Sequence, residues 1–178
     1  MASGSAKKTK LPKQRAVPAH RVGREHEVRP EPSMPQAPAA TRIIWASIAG
    51  TVVFAATAIP AAIAPDAFVG VAVLVSLVLF LLGTLAFLWA YAVAVGRSRT
   101  DLMGIGGLFF LAGSAPRLVQ RRLIASLVAE IVIAGVTAST RVYTPLAFGV
   151  LVPMYGLGLM GLWGAKFGTF PPRPLDPA

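Results

Sequence analysis

One carboxyl group, that of Glu130, stands inside the apolar stretch SLVAEIVIAG at residues 126–135. A charge near the centre of a lipid bilayer costs about 2.5–3.5 kcal/mol or more, so an acid in such a stretch needs a reason. Three states would avoid that cost. The carboxyl is protonated because an apolar environment disfavours its charged form, or it pairs with a basic group, or it faces a water-filled cavity. No lysine or arginine of the chain falls at a matching depth, so we do not expect an internal salt bridge.

Hydroxyl groups are available as partners for Glu130. At about 100° per residue, Ser126, Glu130 and Thr137 fall on one helical face, which we expect to face protein rather than lipid. Tyr155 lies at a similar depth on the next apolar segment and is a further candidate for contact. Two interpretations stay open. Glu130 is a neutral carboxyl that joins helices or pairs with a partner protein, or it is a proton- or cation-binding site.

The rest of the chain offers no set of residues typical of a catalytic site. There is no cysteine, and both histidines, His20 and His26, precede the apolar segments. The other acids of the apolar part, Asp66 and Asp101, are predicted on opposite sides of a membrane. These residues provide neither an acid–base pair nor a set of metal ligands. We therefore expect a protein that is not an enzyme and that holds no cofactor and no metal.

Composition predicts that the elements around Glu130 lie in a membrane. Of the 178 residues, 55% are hydrophobic and only 13% are charged, which is low against the roughly one quarter of soluble domains. A spanning helix needs about 20 apolar residues. We predict an all-α, polytopic membrane protein whose transmembrane domain, residues 42–165, contains four spanning helices in two tight hairpins. The predicted spans are 43–64, 68–95, 123–140 and 145–164.

A fifth apolar run, LMGIGGLFFLAG at residues 102–113, is too short to cross a bilayer, because its helix would extend only roughly 18 Å. We predict that it forms a short interfacial or re-entrant helix in the loop between the second and third spans.

Positive charge predicts the orientation of the four spans. With four crossings, 16 of the 17 lysines and arginines fall on one side and only Arg141 falls on the other. Basic residues concentrate on the cytoplasmic side, so we expect both termini in the cytoplasm. The Ala-, Val-, Gly- and Arg-rich composition is typical of a GC-rich bacterium, and we expect the protein in the bacterial plasma (inner) membrane.

Two polar tails are predicted to flank the spans. Residues 1–41 are basic and rich in Pro and Ala, which predicts a disordered cytoplasmic tail, and residues 166–178 predict a second, Pro-rich tail. No aromatic residues interleave the basic ones, so anionic phospholipids or a protein partner are the expected ligands, and not nucleic acid. The basic residues expected to bind them are Lys7, Lys8, Lys10, Lys13, Arg15, Arg97, Arg99, Arg117, Arg121 and Arg122.

Small residues on the first and fourth spans allow neighbouring helices to approach closely. Ala46 and Gly50 are four residues apart, and Gly149, Pro153 and Gly156 share one face of the fourth span. We favour packing within the bundle, with a homo-oligomer face as the alternative. Aromatic residues near the predicted helix ends are typical of interfacial anchors. They are Trp45, Trp89, Tyr91, Tyr143 and Trp163.

Two functions follow from this pattern. The first is a non-catalytic accessory subunit of a larger plasma-membrane complex, which docks on other integral membrane proteins through small-residue helix faces and its cytoplasmic tail and loop. The second is a small oligomeric transporter or channel in which Glu130 couples a proton or cation.

Overall fold

The structure, a computed structural model, describes residues 38–140 and 143–173. Within these ranges the chain is all-helical, as predicted, and the β pairing is a single isolated bridge between Asp101 and Pro172. The helical elements are α1 (Pro38–Ile63), α2 (Pro65–Arg97), α3 (Ile105–Phe109), α4 (Arg117–Thr140), a 3₁₀ helix (Pro145–Leu151) and α5 (Pro153–Phe167).

Four of these segments are long and apolar enough to cross a membrane, which confirms the predicted number. They are α1, α2, α4, and the 3₁₀ helix together with α5. Their helices extend beyond the predicted apolar runs, since α1 already begins at Pro38 and α4 at Arg117. Apolar composition marks the part of a helix suited to hydrocarbon, whereas the helix itself starts and ends at prolines and turns.

The predicted tails are shorter than expected where the structure describes them. Residues 38–41 belong to α1, and residues 1–37 lie outside the described part of the chain. At the other terminus, the backbone of 169–173 is bonded to the α2–α4 connection: Thr169 N–H donates to Ser114 O at 2.9 Å, and Leu102 N–H donates to Pro171 O at 2.8 Å. The predicted tail over 166–178 therefore packs back on the protein as far as Arg173.

The loop helix is much shorter than the predicted 102–113. Helix α3 ends at Phe109, because Leu111 and Gly113 adopt left-handed φ angles of 55° and 72°. The turn buries Leu108 and Leu111 against α5, next to Gly164.

The fourth apolar segment, predicted as a span over 145–164, is helical along its length but changes helix type at Val152, whose backbone is itself helical (φ −62°, ψ −35°). Residues Pro145–Leu151 form a 3₁₀ helix, and α5 starts at Pro153. Proline has no backbone N–H and cannot continue the helical hydrogen-bond ladder from the preceding turn.

Helix α5 lies at the centre of the bundle, where it contacts α1, α2, α3 and α4. The bonded pairs Ser47–Ser126 and Thr51–Glu130 both join residues 79 positions apart, so α1 and α4 run parallel. We call the end where α1 and α4 begin the basic end. It carries Arg42, Arg97, Arg99, Arg117, Arg121, Arg122 and Lys166.

Candidate functional site

The Glu130 carboxyl is fully buried between α1, α4 and α5, with 0% of the residue exposed. The Thr51 hydroxyl donates to its Oε1 at 2.9 Å, and the Gly156 backbone N–H donates to its Oε2 at 3.1 Å. Each carboxyl oxygen therefore has a hydrogen-bond partner from a different helix. Glu130, which stands alone among apolar residues in the sequence, thus joins three helices in the structure.

The change from 3₁₀ to α-helix explains why the Gly156 N–H is available. The carbonyl four residues before it, Val152 O, accepts from the Tyr155 N–H at 2.8 Å. The Glu130 carboxyl accepts a hydrogen bond from the first turn of α5, at the positive end of the helix dipole. A side chain would not fit, because a Cβ atom at Gly156 would lie 2.6 Å from Oε2 of Glu130.

Three hydroxyl groups extend the bonding from Glu130 along the α1–α4 contact. Ser47 Oγ donates to Ser126 Oγ at 2.9 Å, and the hydroxyls of Ser126 and Thr51 are 2.5 Å apart. We call Ser47, Thr51, Ser126 and Glu130 the polar cluster. Hydroxyls both donate and accept, so the cluster can be satisfied with Glu130 ionised or protonated. In the protonated form Glu130 donates to Thr51, and Thr51 donates to the Ser47 carbonyl oxygen at 3.0 Å.

The predicted polar stripe divides into two separate sites, and Tyr155 belongs to neither. Ser126, Glu130 and Thr137 are all buried, but only Ser126 and Glu130 belong to one network. Thr137 donates to Ile133 O of its own helix at 2.8 Å. Tyr155 does not bond to Glu130, since its hydroxyl donates to Ala46 O at 2.8 Å.

Tyr155 packs closely against two glycines at the centre of the bundle. A Cβ atom at Gly50 of α1 would overlap its ring, and a Cβ atom at Gly83 of α2 would overlap its backbone. Tyr155 thus joins α1, α2 and α5, and neither contact tolerates a larger residue without movement.

The small residues singled out from the sequence all pack within the bundle. Ala46 and Gly50 contact Tyr155, and Gly156 contacts Glu130. A Cβ atom at Gly149 would lie 3.4 Å from the Phe54 ring, and Pro153 starts α5. Gly50, Gly149 and Gly156 are buried inside the monomer, whereas Ala46 and Pro153 are half-buried, so docking through small-residue faces stays a prediction.

Sequence reasoning missed Ser47, Thr51 and the Gly156 N–H as partners of the acid. A signal was present, because Ser47 and Thr51 repeat on α1 the spacing of Ser126 and Glu130 on α4. It also missed Gly83 and Gly158, which bring the backbones of α2 and α5 together.

A groove of about 330 Å³ lies between α1 and α4 beside the polar cluster. Thr51 and Ser126 line it, together with exposed Arg122, which stands one turn nearer the basic end. The groove is otherwise apolar; its remaining lining residues are Ile48, Val52 and Ala125. It therefore connects an exposed guanidinium with two hydroxyls of the cluster.

At the basic end, the Arg97 guanidinium, which was predicted to bind lipid or a partner, makes several bonds inside the protein. Its guanidinium bonds to Asp101 at 2.9 Å, to Ala165 O at 2.8 Å and to Gly168 O at 3.3 Å. It thereby satisfies carbonyl groups at the end of α5 that lack a helical partner. The other described members of the predicted basic set are exposed. They are Arg99, Arg117, Arg121 and Arg122.

The outcome also differs among the remaining basic residues and the aromatic residues that were predicted as interfacial anchors. Lys7, Lys8, Lys10, Lys13 and Arg15 lie outside the described residues. Trp45 and Trp89 are exposed, as interfacial anchors should be, whereas Trp163 is buried among Ile44, Leu123 and Met160. The prediction of Trp163 as an interfacial anchor is therefore wrong.

No group of three His, Cys, Asp or Glu side chains suited to a metal occurs in residues 38–140 and 143–173. Comparison with known proteins gives no match to any family model, any curated protein or any solved structure.

Proposed function

We propose that this chain is a non-catalytic accessory subunit of a larger bacterial plasma-membrane complex, with both termini in the cytoplasm. The observation that carries the proposal is the bonding of the polar cluster, in which both oxygens of the Glu130 carboxyl bond to α1 and α5 of the same chain. A carboxyl bonded in this way stabilises the bundle without a substrate.

The outer surface supports the same proposal. The Leu-rich face of α2 is exposed and suited to lipid or to a neighbouring membrane helix; its residues include Leu74, Leu81, Leu82, Leu85 and Leu88. The exposed arginines of the basic end, together with the N-terminal tail, are the docking surface in this proposal. They would meet acidic groups of a partner at the cytoplasmic membrane surface.

Purification of the tagged protein from native membranes in mild detergent tests this function. We expect a discrete complex that contains other integral membrane proteins in fixed stoichiometry and that forms again when one of those proteins carries the tag. Replacing Arg117 and Arg121 by Glu should release the subunit, whereas the matched exposed change Asp66→Asn should not. A lone 18.6 kDa species from wild-type membranes would contradict the proposal.

A small transporter or channel is the second candidate, favoured by the change of helix type in the fourth segment. In transporters, discontinuous helices point their N-termini at anionic groups of the substrate, whereas carbonyl groups and helix C-termini hold the coupling ion. Here α5 begins inside the bundle and Glu130 bonds to its first turn. Proton flux into vesicles loaded with a pH-sensitive dye tests this candidate. Glu130→Gln should abolish the flux and Asp66→Asn should not, and equal flux in wild type and Glu130→Gln would end the idea.

A further inference from the structure

Two stretches of the first helix pair, α1–α2, resemble stretches of the second pair, formed by α4 and the 3₁₀ helix with α5. RIIWASIAGTVV at 42–53 aligns with RRLIASLVAEIV at 121–132, and PDAF at 65–68 aligns with PLAF at 145–148. In the first alignment Ser47 corresponds to Ser126, and Thr51 corresponds to Glu130. The carboxyl thus occupies the position of a threonine hydroxyl in the other pair.

Corresponding residues of the two pairs also meet in space. Ser47 bonds to Ser126 and Thr51 bonds to Glu130, each at 2.9 Å. Equivalent residues contact each other when two repeats are related by an approximate two-fold axis between them. The second helices of the pairs, α2 and α5, run parallel as well, but their contacts, Gly83 on Gly158 and Arg97 on Ala165 O, join residues 75 and 68 positions apart and not the 80 of the PDAF alignment. The two-fold relation therefore holds for α1 and α4 only. Membrane transporters built from repeats place their ion sites at the interface of the repeats.

We propose that the polar cluster is a proton-binding site between the similar helices α1 and α4, and that Glu130 exchanges its proton through Thr51 with the groove between them. This goes beyond the accessory-subunit function, because the site would exchange protons in a subunit as well, and it names the proton path that the transporter candidate would use.

The bonding permits this exchange without unpaired groups. A proton that arrives from the groove binds Thr51 Oγ1 while the proton of Thr51 moves to Glu130 Oε1. The hydroxyl then rotates and donates to the Ser47 carbonyl oxygen. The Gly156 N–H keeps its bond to Oε2 in both states, because carboxylate and carboxylic-acid oxygens both accept.

Few charged or titratable groups face Glu130 from the elements packed against it. Helix α5 contributes Tyr155, whose hydroxyl is bonded to Ala46 O. Helix α4 itself contributes Arg122, at the groove near the basic end. The described part of α1 has only Arg42, exposed at the basic end, and the 3₁₀ helix has no titratable side chain. Glu130 is therefore the group whose charge changes when this region gains or loses a proton.

Infrared difference spectroscopy on the full chain in phospholipid vesicles tests the proposal. We expect the carbonyl stretch of one protonated carboxyl to appear and disappear reversibly with pH, to shift in D₂O, and to be missing in Glu130→Gln. Thr51→Val should slow the deuterium shift by about tenfold or more, because it removes the relay. Thr51→Ser, which keeps the hydroxyl, should exchange like wild type, and so should the matched control Thr57→Val on the same helix.

Each other outcome overturns the inference. A carboxyl band that does not change with pH means that Glu130 exchanges no proton. Equal deuterium shifts in Thr51→Val and Thr51→Ser mean that the proton does not pass through Thr51. Loss of the band on addition of Na⁺ at constant pH means that the cluster binds a metal cation instead. None of these results bears on whether the protein joins a complex, which the purification experiment measures separately.

Discussion

Gly156 donates its backbone N–H to the Glu130 carboxyl at 3.1 Å, from the first turn of a helix that begins inside the bundle at Pro153. The Val152 carbonyl, four residues before Gly156, accepts from the Tyr155 N–H, the glycine leaves room for the acid, and the acid supplies the acceptor. A buried N–H without a partner costs about 1–3 kcal/mol, so these residues depend on one another.

The first prediction concerns this contact. Gly156→Ala places a methyl group 2.6 Å from Glu130 Oε2 and 3.2 Å from Leu127 Cδ1. We expect it to lower the free energy of unfolding by about 1–3 kcal/mol, through displacement of the acid. Denaturation in mixed detergent micelles measures the change. Gly135→Ala on α4 is the matched control, because nothing lies within 4 Å of its Cβ position, and it should be neutral or stabilising.

The second prediction separates the charge of Glu130 from its hydrogen bonds. Glu130→Gln keeps both bonds, because its oxygen accepts from Gly156 and its NH₂ group donates to Thr51. We expect its unfolding free energy within about 0.5 kcal/mol of wild type. Glu130→Met leaves the Gly156 N–H without an acceptor and should lose about 2 kcal/mol or more. Equal stability of the two variants would show that the bonds contribute nothing.

The third prediction concerns the packing of the Tyr155 ring against Gly50 and the hydrogen bond from its hydroxyl to Ala46 O. Gly50→Ala overlaps the tyrosine ring, so we expect a loss of about 1–3 kcal/mol in unfolding free energy. Tyr155→Phe removes only the bond to Ala46 O and should cost about 0.6–1.5 kcal/mol. The same denaturation assay compares them, with Gly96→Ala as the control at a glycine with open space around it. A larger effect for Tyr155→Phe than for Gly50→Ala would contradict this packing.

The fourth prediction concerns Arg97. Arg97→Ala removes the bonds to Asp101, Ala165 O and Gly168 O and should free the segment after α5. We expect faster proteolysis of residues 168–173 and a loss of about 1–2 kcal/mol. The exposed Arg99→Ala should leave the cleavage rate unchanged. Cleavage at the wild-type rate in Arg97→Ala would show that the backbone bonds of the segment suffice.

The fifth prediction concerns orientation. With four crossings and the basic end in the cytoplasm, a fluorescent reporter that folds only in the cytosol should be active at either terminus. A periplasmic phosphatase reporter at the same positions should be inactive. Activity of the phosphatase at one terminus would require an odd number of crossings.

The sequence alone determined the four spanning-length helices and the location of the buried acid. These features depend on local composition, since apolar runs of sufficient length and a single carboxylate among them can be read along the chain. Helical periodicity also predicted that Ser126, Glu130 and Thr137 face protein, because side-chain direction repeats with the helix.

Only the tertiary structure decided which groups the acid meets. Thr51 and Ser47 reach it because α1 packs parallel to α4, and the Gly156 N–H reaches it because the first turn of α5 packs on α4. Arg97 likewise bonds to the end of α5 instead of facing lipid. Periodicity gives the face on which a residue lies but not the helix that packs there, since that choice depends on close contacts such as Gly83 with Gly158 between residues far apart in the chain.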